Sequence, residues 1–339
     1  MKYRTIGTTD LSLSEIGFGC GGNAGLMVRG TRDEQIAVVA RALELGINYF
    51  DNSPDYGNCI AEENLGAVLK ELRVRPLLNS KVEIRAENLD DIAGHVVRST
   101  EASLRRLGVD YLDVLQIHNG PIDPPPQMEG KFYAQLWIEH FLRPGGAIDG
   151  LRKLLDDGKA RYVGFICRGN DGEHVRRLLD TGVFTVINAP YTLLNPTAGY
   201  VKPAGLKAKD YGDVLDAAWD HGVGGSIYSP LAGGFLTDDA IAGRDRHPLA
   251  RKPPDATNDS TQRNLAAAAK LHFLATEHGI SMAQAAFRFI LMHRGVTTAL
   301  GGLSSIAQLE EIAAVSGMTP FAADAMRRVE SLWENNFAS

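Results

Sequence analysis

The sequence has few of the features that mark secreted, membrane-bound or nucleic-acid-binding proteins. Only three cysteines, Cys20, Cys59 and Cys167, occur in 339 residues, and their odd number and unpaired spacing argue against a disulfide framework or a thiolate metal site. The formal charge is −6, without the basic surface that nucleic acids select. No apolar run approaches the roughly 18 residues that cross a bilayer, and the first residues lack an apolar signal core. We therefore expect a cytoplasmic protein with reduced thiols and neither nucleic-acid nor membrane partners.

What the sequence does have is a regular alternation of β-like and helical runs. After a predicted β-hairpin over residues 3–14, the predicted strands are residues 16–20, 47–50, 77–81, 112–118, 162–167, 185–191, 225–229 and 297–300. Helical periodicity separates these strands, with helices predicted among others over residues 210–221 and 261–278, and an extra helix is predicted over residues 321–334. Eight strands with intervening helices close most naturally as a (β/α)8 TIM barrel of the α/β class. With 44% hydrophobic residues, one domain spanning residues 1–339 is the economical interpretation.

Two long segments interrupt the alternation. Residues 119–146 are rich in proline and include Phe132, Tyr133 and Trp137, which suggests a lid over a pocket, although a surface excursion is an equal alternative. Residues 237–259 have little periodicity and predict a mobile loop rather than a domain linker. Elsewhere, Asn88 is predicted to cap the long helix that ends before Gly108.

Four polar residues stand at or just past the ends of the second, third and fourth predicted strands. They are Asp51, Tyr56, Lys81 and His118. In a (β/α)8 barrel the carboxyl ends of the strands meet at the face where active sites form. Taken alone, these residues are more often a turn cap, a loop aromatic, a surface amine and a structural histidine, but their joint placement favours a proton-transfer site.

The four residue types suit the reduction of a carbonyl group. An unperturbed phenol has a pKa of about 10, so Tyr56 needs a nearby positive charge to act as an acid at neutral pH. Lys81 can supply that charge, and Asp51 can keep the ammonium charged against desolvation. His118 would orient the carbonyl oxygen. A cofactor would deliver hydride while Tyr56 protonates the developing alkoxide, and reversal of these steps would oxidise an alcohol.

Longer motifs carry a resemblance that covers essentially the whole chain. They lie at residues 51–57, 63–66, 103–108, 110–113, 116–118, 158–164, 228–234 and 302–305 and at Gln308. Together they closely resemble the aldo-keto reductase family. The resemblance implies a TIM barrel, NADP(H) or NAD(H) as the hydride donor, Tyr56 as the general acid, and a catalytic tetrad of Asp51, Tyr56, Lys81 and His118.

The resemblance also implies where the cofactor binds. A tyrosine at the end of strand seven stacks on the nicotinamide in the family, and Tyr228 matches it. The turn and helix start after strand eight hold the adenosine phosphate. The implied cofactor-binding residues are Asn188, Tyr228, Ser229, Leu231, Gly233, Gly302, Ser304, Ser305, Gln308 and Glu311.

The sequence departs from the family pattern at several of these contacts. Ile166 and Cys167 stand where a Ser-Asn pair usually grips the nicotinamide carboxamide, and the amide on strand six is the shorter Asn188. Gln308 occupies the position of an arginine that many members aim at the 2′-phosphate of NADP, and Ile312 replaces an asparagine. Without a cation, that phosphate gains less, so both NAD and NADP stay open.

Three functions follow from these residues. The first is an NAD(P)(H)-dependent oxidoreductase that acts on a small-molecule carbonyl or alcohol, or on a sugar lactol as in the galactose and fucose dehydrogenases. The second is a non-catalytic nucleotide-binding module of the potassium-channel auxiliary-subunit type. The third is a barrel lyase or aldolase that uses Lys81 as a Schiff-base amine. We expect no metal site, because His272, His278 and His293 lack helical i, i+4 pairing; the oligomeric state and the reaction direction stay open.

Overall fold

Eight parallel strands form a closed barrel and follow one another around it in chain order. This computed structural model describes residues 1–123, 135–168, 172–251 and 258–338. The barrel strands, labelled β1 to β8, are Ile16–Gly19, Tyr49–Asp51, Leu77–Val82, Leu112–Ile117, Ala160–Ile166, Val186–Pro190, Gly224–Tyr228 and Val296–Gly302. The ring closes where β8 pairs with β1, with Ala299 opposite Ile16 and Gly302 opposite Gly19. The predicted (β/α)8 barrel is confirmed.

Helices surround the barrel. The longer ones, labelled α1 to α10, are Arg32–Glu44, Ile60–Leu72, Ile92–Leu107, Ala147–Asp156, Gly172–Leu179, Val214–Asp220, Asp259–Leu271, Met282–Leu291, Ile306–Ala313 and Ala323–Glu334. The described chain also has short helical turns at Leu26–Arg29, Ala86–Asn88, Glu139–Leu142, Ala232–Gly234, Asp238–Ile241 and Phe273–Thr276. None of the helices in the described ranges combines the length and apolar character that a membrane crossing requires.

The predicted N-terminal hairpin closes one end of the barrel. Strands Tyr3–Thr5 and Ser12–Ser14 pair in antiparallel fashion. The hairpin side chains of Leu11 and Leu13 are buried in an apolar cluster whose other members come from the hairpin and the barrel strands: Ile6, Tyr49, Val114, Val186 and Leu300. Because β-strand side chains alternate between faces, this cluster identifies which strand residues point into the barrel.

The start of α3 differs from the prediction. The helix begins at Ile92 and is capped by Asp91, whose side chain accepts a hydrogen bond from Gly94 N at 3.1 Å. The Asn88 side chain instead accepts from Arg85 N at 2.9 Å and belongs to the turn Ala86–Asn88. The prediction that Asn88 caps the helix was wrong, because its side-chain oxygen is used one turn earlier.

Two other helices are shorter than the sequence predicts. The helix expected over residues 210–221 is α6, Val214–Asp220, and it starts only after Asp213, whose φ of 55° lies in the left-handed region. The single helix expected over residues 261–278 is divided into α7 and the turn Phe273–Thr276 at His272.

The two interrupting segments are described in part. Strands Gly120–Ile122 and Gln135–Trp137 pair with each other beside the barrel, and Trp137 Nε1 donates to Asp123 Oδ1 at 3.3 Å. Residues 124–134, including Phe132 and Tyr133, lie outside the described residues, so the lid stays a prediction. In the second segment, residues 252–257 also lie outside them, but the part before contains Asp238–Ile241, capped by Thr237.

Candidate active site

The carboxyl ends of β2, β3 and β4 bring the four predicted catalytic side chains together. Lys81 Nζ lies 2.7 Å from Asp51 Oδ1 and 3.1 Å from the Tyr56 hydroxyl. The Tyr56 hydroxyl lies 3.3 Å from Asp51 Oδ2, and the centroids of the Tyr56 and His118 rings are 6.0 Å apart in an edge-on arrangement. The four residues therefore form one contiguous cluster at the mouth of the barrel.

Strand register and one turn explain this convergence. Asp51 pairs with Asn79 across β2 and β3, so Lys81, two residues further along β3, points to the same face one level nearer the mouth. After β2 the chain turns at Pro54, and Tyr56 N donates to Ser53 O at 3.0 Å. This turn returns the Tyr56 side chain over the end of β2. His118 follows β4, where its N–H donates to Val82 O at 2.7 Å.

Lys81 is fully buried, and its surroundings act on its charge in opposite directions. The pKa of Lys81 is lowered, because the effect of burial exceeds that of the Asp51 charge and hydrogen bond, which act to raise it. Lys81 Nζ also donates to Asn52 O at 2.8 Å. The ammonium thus has three oxygen acceptors, from Asp51, Asn52 and Tyr56, which match its three donor hydrogens.

His118 is held in its neutral form. Burial first, and then the charges of Lys81 and Arg168, hold the pKa of His118 well below its usual value. Its Nδ1 lies 3.2 Å from Ser53 Oγ, and Ser53 Oγ accepts the Asp55 N–H at 3.2 Å. Because that oxygen already accepts a proton donor, it is suited to donate its own hydrogen to Nδ1. This arrangement favours the tautomer with the hydrogen on Nε2.

Three further residues belong to the mouth, although none of them was predicted from the sequence as a site residue. Asn79 Nδ2 donates to Asp51 Oδ1 at 2.5 Å, Ser53 contacts His118, and the Arg168 guanidinium lies 6.0 Å from the Tyr228 ring centroid. The sequence positions of two of them, Asn79 and Arg168, could have indicated that they face the mouth. Asn79 stands two residues before Lys81 and Arg168 two residues after Ile166, at the alternate positions that share a strand face.

A second group of predicted residues lies on the other side of the mouth, on β6, β7 and β8. Tyr228 ends β7 and is partly exposed, and Asn188 of β6 pairs with Ser226 of β7. Asn188 is 1% exposed, and its Oδ1 has no hydrogen-bond partner among the described residues. A buried amide oxygen requires a donor, and the carboxamide of a nicotinamide could supply one. This part of the site fits the implied cofactor.

The turn after β8 also fits a dinucleotide, mainly through its backbone. Ser305 caps α9 and accepts from Gln308 N at 3.3 Å. Gln308 Oε1 accepts from Ser304 N at 2.8 Å, and Ser304 Oγ donates to Ala24 O at 2.7 Å. These predicted contact residues are therefore engaged with the protein itself. The first-turn N–H groups of α9, which have no partner within the helix, would hold a phosphate.

The side chains of α9 leave the choice between NAD and NADP open. The sequence of α9, Ile306–Ala313, contains no lysine or arginine, and Glu310 lies 2.8 Å from Arg41. Glu311 O accepts from Gln284 Nε2 at 2.9 Å. Ile312 is buried beneath the β8 turn, where a Cβ on Gly301 would overlap its Cδ1. Residue 312 therefore supports the fold of the turn.

The loop after β7 carries three more of the predicted cofactor residues. Ser229 and Gly233 have positive φ values of 53° and 74°, and Leu231 O accepts from Gly234 N at 2.8 Å. Gly233 O accepts a hydrogen bond from Arg246 Nη2 at 2.7 Å. This contact ties the segment after residue 237 to the rim of the site.

One group in the described chain has donors that a metal could use, and it is separate from the tetrad. Asp213, Asp216 and His293 place one ligand atom each within 4.8 Å of one another. However, Asp216 Oδ1 accepts from Arg294 Nε at 2.7 Å, and His293 Nδ1 accepts from Gly295 N at 3.1 Å. These contacts use one side-chain atom of Asp216 and one of His293. The expected absence of a metal site stays a prediction.

Comparison with known proteins places the chain in a family. Residues 15–334 match the model of the Aldo/keto reductase family. The chain belongs to this family. As a member of it, the protein is an oxidoreductase that uses a nicotinamide dinucleotide, NAD(P)(H). The resemblance identified from the sequence motifs is confirmed.

Several relatives of the family match most of the chain. L-galactose dehydrogenase of Arabidopsis thaliana is 27% identical and covers 98% of this chain and 95% of its own. L-glyceraldehyde 3-phosphate reductase of Escherichia coli K12 is 29% identical over 94% of this chain and 89% of its own. An aldo-keto reductase from Bacillus halodurans in its holo form shares the fold with a TM-score of 0.72, at 24% identity and over 99% of this chain and 97% of its own.

Proposed function

We propose that this aldo/keto reductase interconverts an aldehyde or ketone and the alcohol, or a sugar lactol and the lactone, with Asp51, Tyr56, Lys81 and His118 as its catalytic residues. The observation that carries the proposal is the position of Lys81 Nζ, 3.1 Å from the Tyr56 hydroxyl and 2.7 Å from Asp51. Two relatives support the two forms of the reaction, a sugar dehydrogenase and an aldehyde reductase.

Tyr56 transfers the proton in this proposal. In the reduction, its hydroxyl donates to the oxygen that becomes the alcohol, and the adjacent ammonium of Lys81 stabilises the phenolate that remains. Asp51 keeps that ammonium charged in its buried position. In the oxidation, the phenolate accepts the proton of the alcohol. His118, neutral and with hydrogen on Nε2, donates to the carbonyl oxygen and orients it.

The cofactor residues act as positioning groups. A bound nicotinamide dinucleotide supplies the hydride for reduction or accepts it in oxidation. Asn188 would accept a hydrogen bond from the carboxamide, Tyr228 would pack on the ring, and the first turn of α9 with Gly302, Ser304 and Ser305 would hold the adenosine phosphate. Ser229, Leu231, Gly233, Gln308 and Glu311 would line the path between these two ends.

We also propose that residues 1–339 act as one domain in the cytoplasm on a small-molecule substrate. The N-terminal hairpin and the C-terminal α10 both pack on the barrel, through Leu13 and Trp333. Cys20, Cys59 and Cys167 are all free thiols, which suits a reducing compartment. A Schiff-base mechanism at Lys81 is disfavoured, because three acceptors hold the amine in its charged form, which is not nucleophilic.

Substitution of the phenol tests the proposal. Tyr56→Phe should lower kcat for a panel of aldehydes by about a hundredfold or more, since general acid catalysis contributes about 10²–10⁴-fold. NADH or NADPH should still quench tryptophan fluorescence in this variant. The control is Tyr111→Phe, because Tyr111 precedes β4 at the opposite end of the barrel and packs under Arg75. Full turnover by Tyr56→Phe would refute the assignment of the acid.

A further inference from the structure

Arg168 brings a second positive charge to the mouth of the barrel. Gly164 of β5 faces the interior, because it pairs with Val186 and a Cβ there would overlap the Val186 side chain. Ile166 and Arg168 follow at alternate positions, so they share that face. The Arg168 guanidinium lies 6.0 Å from the ring centroid of Tyr228, at the end of β7. Its side chain therefore lies over the opening.

The register of β4 and β5 gives the height of Arg168 above the reacting groups. Ile117 pairs with Phe165, so His118 is level with Ile166. Arg168 stands two residues further out, or about 6–7 Å at a rise of roughly 3.3 Å per residue. A group bound by the guanidinium would lie a few bonds beyond a carbonyl carbon held at Tyr56 and His118, on its solvent side.

Arg168 stands near two ion pairs at the mouth of the barrel. Lys81 is matched by Asp51 at 2.7 Å, and on the rim Glu83 is matched by Arg85 at 2.9 Å. Arg168 lowers the pKa of both His118 and Lys81, in each case as a smaller cause after burial. Burial raises the pKa of Tyr228, and the charge of Arg168 and a hydrogen bond from it act in the opposite direction. The positive field of this guanidinium thus reaches the catalytic groups.

We propose that Arg168 selects substrates with an anionic group, a carboxylate or a phosphate, a few bonds from the reacting carbonyl. This inference rests on the proposed function of the same site. A guanidinium is permanently charged and planar, and its parallel N–H groups match two oxygens of a carboxylate or phosphate. The face of Tyr228 restricts its orientation. A carboxylate and a phosphate would both be bound through two oxygens in this way.

Matched aldehyde pairs test the selection. Butanal and 4-oxobutanoate differ by a carboxylate, and glyceraldehyde and glyceraldehyde 3-phosphate differ by a phosphate. The wild-type protein should show a kcat/KM about tenfold or more higher for the anionic member of at least one pair, chiefly through KM. Arg168→Gln should lower that ratio by about tenfold, and Arg168→Lys should restore part of it. Arg152→Gln, at an exposed helix position, should leave the ratio unchanged.

The other outcomes are distinct. Reduction of butanal and glyceraldehyde with no preference for either anion would overturn the selection by Arg168 and leave the proposed function intact. An equal loss on both members of a pair, together with weaker nucleotide binding in Arg168→Gln, would assign the guanidinium to the cofactor instead. No turnover of any of the four aldehydes by the wild-type protein would overturn the proposed function and this inference together. Circular dichroism of Arg168→Gln and Arg168→Lys separates misfolding from lost selectivity.

Discussion

Lys81 and His118 show how one buried site can hold a charged amine beside a neutral imidazole. Burial lowers the pKa of both residues and so favours their neutral forms. Lys81 has a carboxylate at 2.7 Å that opposes this shift, whereas the charges of Lys81 and Arg168 add to the shift of His118. The neighbouring charge, rather than burial, therefore separates the two roles.

The lowered pKa of His118 predicts a specific dependence of stability on pH. An unfolded histidine has a pKa of about 6.5, so below that pH the unfolded chain takes up a proton that the folded site resists. The contribution of His118 to the free energy of unfolding should therefore be fully present above about pH 6.5 and should be lost progressively as the pH drops below that value. One proton contributes a slope of at most about 1.4 kcal/mol per pH unit. His118→Gln should flatten this slope in urea titrations between pH 7 and 5.

The exposed His247 provides the control for that measurement. The same substitution there removes an imidazole from the surface and should leave the slope as it is in the wild-type protein. Because His118→Gln also changes the total stability, only the change of unfolding free energy with pH is diagnostic. Identical slopes in the wild-type protein and His118→Gln would show that burial of this ring does not resist protonation.

At the level of single residues, the sequence predicted the groups that stand at strand ends. Asp51, Lys81 and His118 could be placed because a strand, its end and its face are local features. Ser53 and Asn79 could not be assigned partners, since their contacts with His118 and Asp51 depend on distances across the ring of strands. Ser304 and Gln308 were placed in the correct turn, but their use as contacts within the protein depends on side-chain geometry that no spacing encodes.

At the scale of elements, the buried carboxylate of Glu62 joins α2 to α3 through an ion pair and to β3 through a hydrogen bond. Glu62 of α2 accepts from Ser80 Oγ at 2.5 Å and from Arg106 of α3 at 2.6 Å. Ser80 is the neighbour of Lys81, so this contact anchors the strand that carries Lys81. The two helices must approach closely for it to form, and Gly66 lies at the point of approach.

Gly66→Ala should destabilise the protein although alanine favours helices. A Cβ at residue 66 would overlap the Arg106 carbonyl oxygen and lie 2.8 Å from Leu107 Cα. Overpacking costs about 1–3 kcal/mol, while the better helix propensity of alanine returns about 1 kcal/mol. Because the added Cβ would contact backbone atoms, which cannot rotate away, we expect a net loss of about 1–2 kcal/mol in the free energy of unfolding by urea. Ser331→Ala, on the exposed side of α10, should not lower it.

A gain in stability for Gly66→Ala would show that the two helices can separate without penalty.

The elements differ in how far the sequence predicts them. The strands and long helices follow from periodicity and were found. The cap of α3 was misplaced, because Asn88 and Asp91 are both good capping residues and only the backbone of the preceding turn decides between them.

At the scale of the whole molecule, α10 fastens the end of the chain to the loop after β6. Trp333 is fully buried, and its Nε1 donates to Leu193 O at 2.8 Å. Its ring also packs edge-on against Tyr200 and Phe289. Lys270 of α7 donates to Phe337 O at 2.6 Å. The last turn thus supports a segment next to Asn188 and the mouth.

Trp333→Ala should cost about 3–5 kcal/mol of unfolding free energy, as expected when a large aromatic is removed from a core. Trp333→Phe should cost about 1–3 kcal/mol, because Leu193 O loses its donor. Chemical denaturation measures both, and the exposed Trp219→Phe is the control. Wild-type stability in Trp333→Ala would mean that α10 is dispensable to the barrel.

The pairing of β8 with β1 has a consequence for the order of assembly. Ala299 meets Ile16 across 283 positions of chain, so this contact has among the longest loops to close and is slow to form. The four proposed catalytic residues are encoded before residue 120, and the turn that we propose holds the phosphate lies after residue 300. During synthesis the first group emerges first, and the two groups can face each other only when β8 has left the ribosome and closed the barrel.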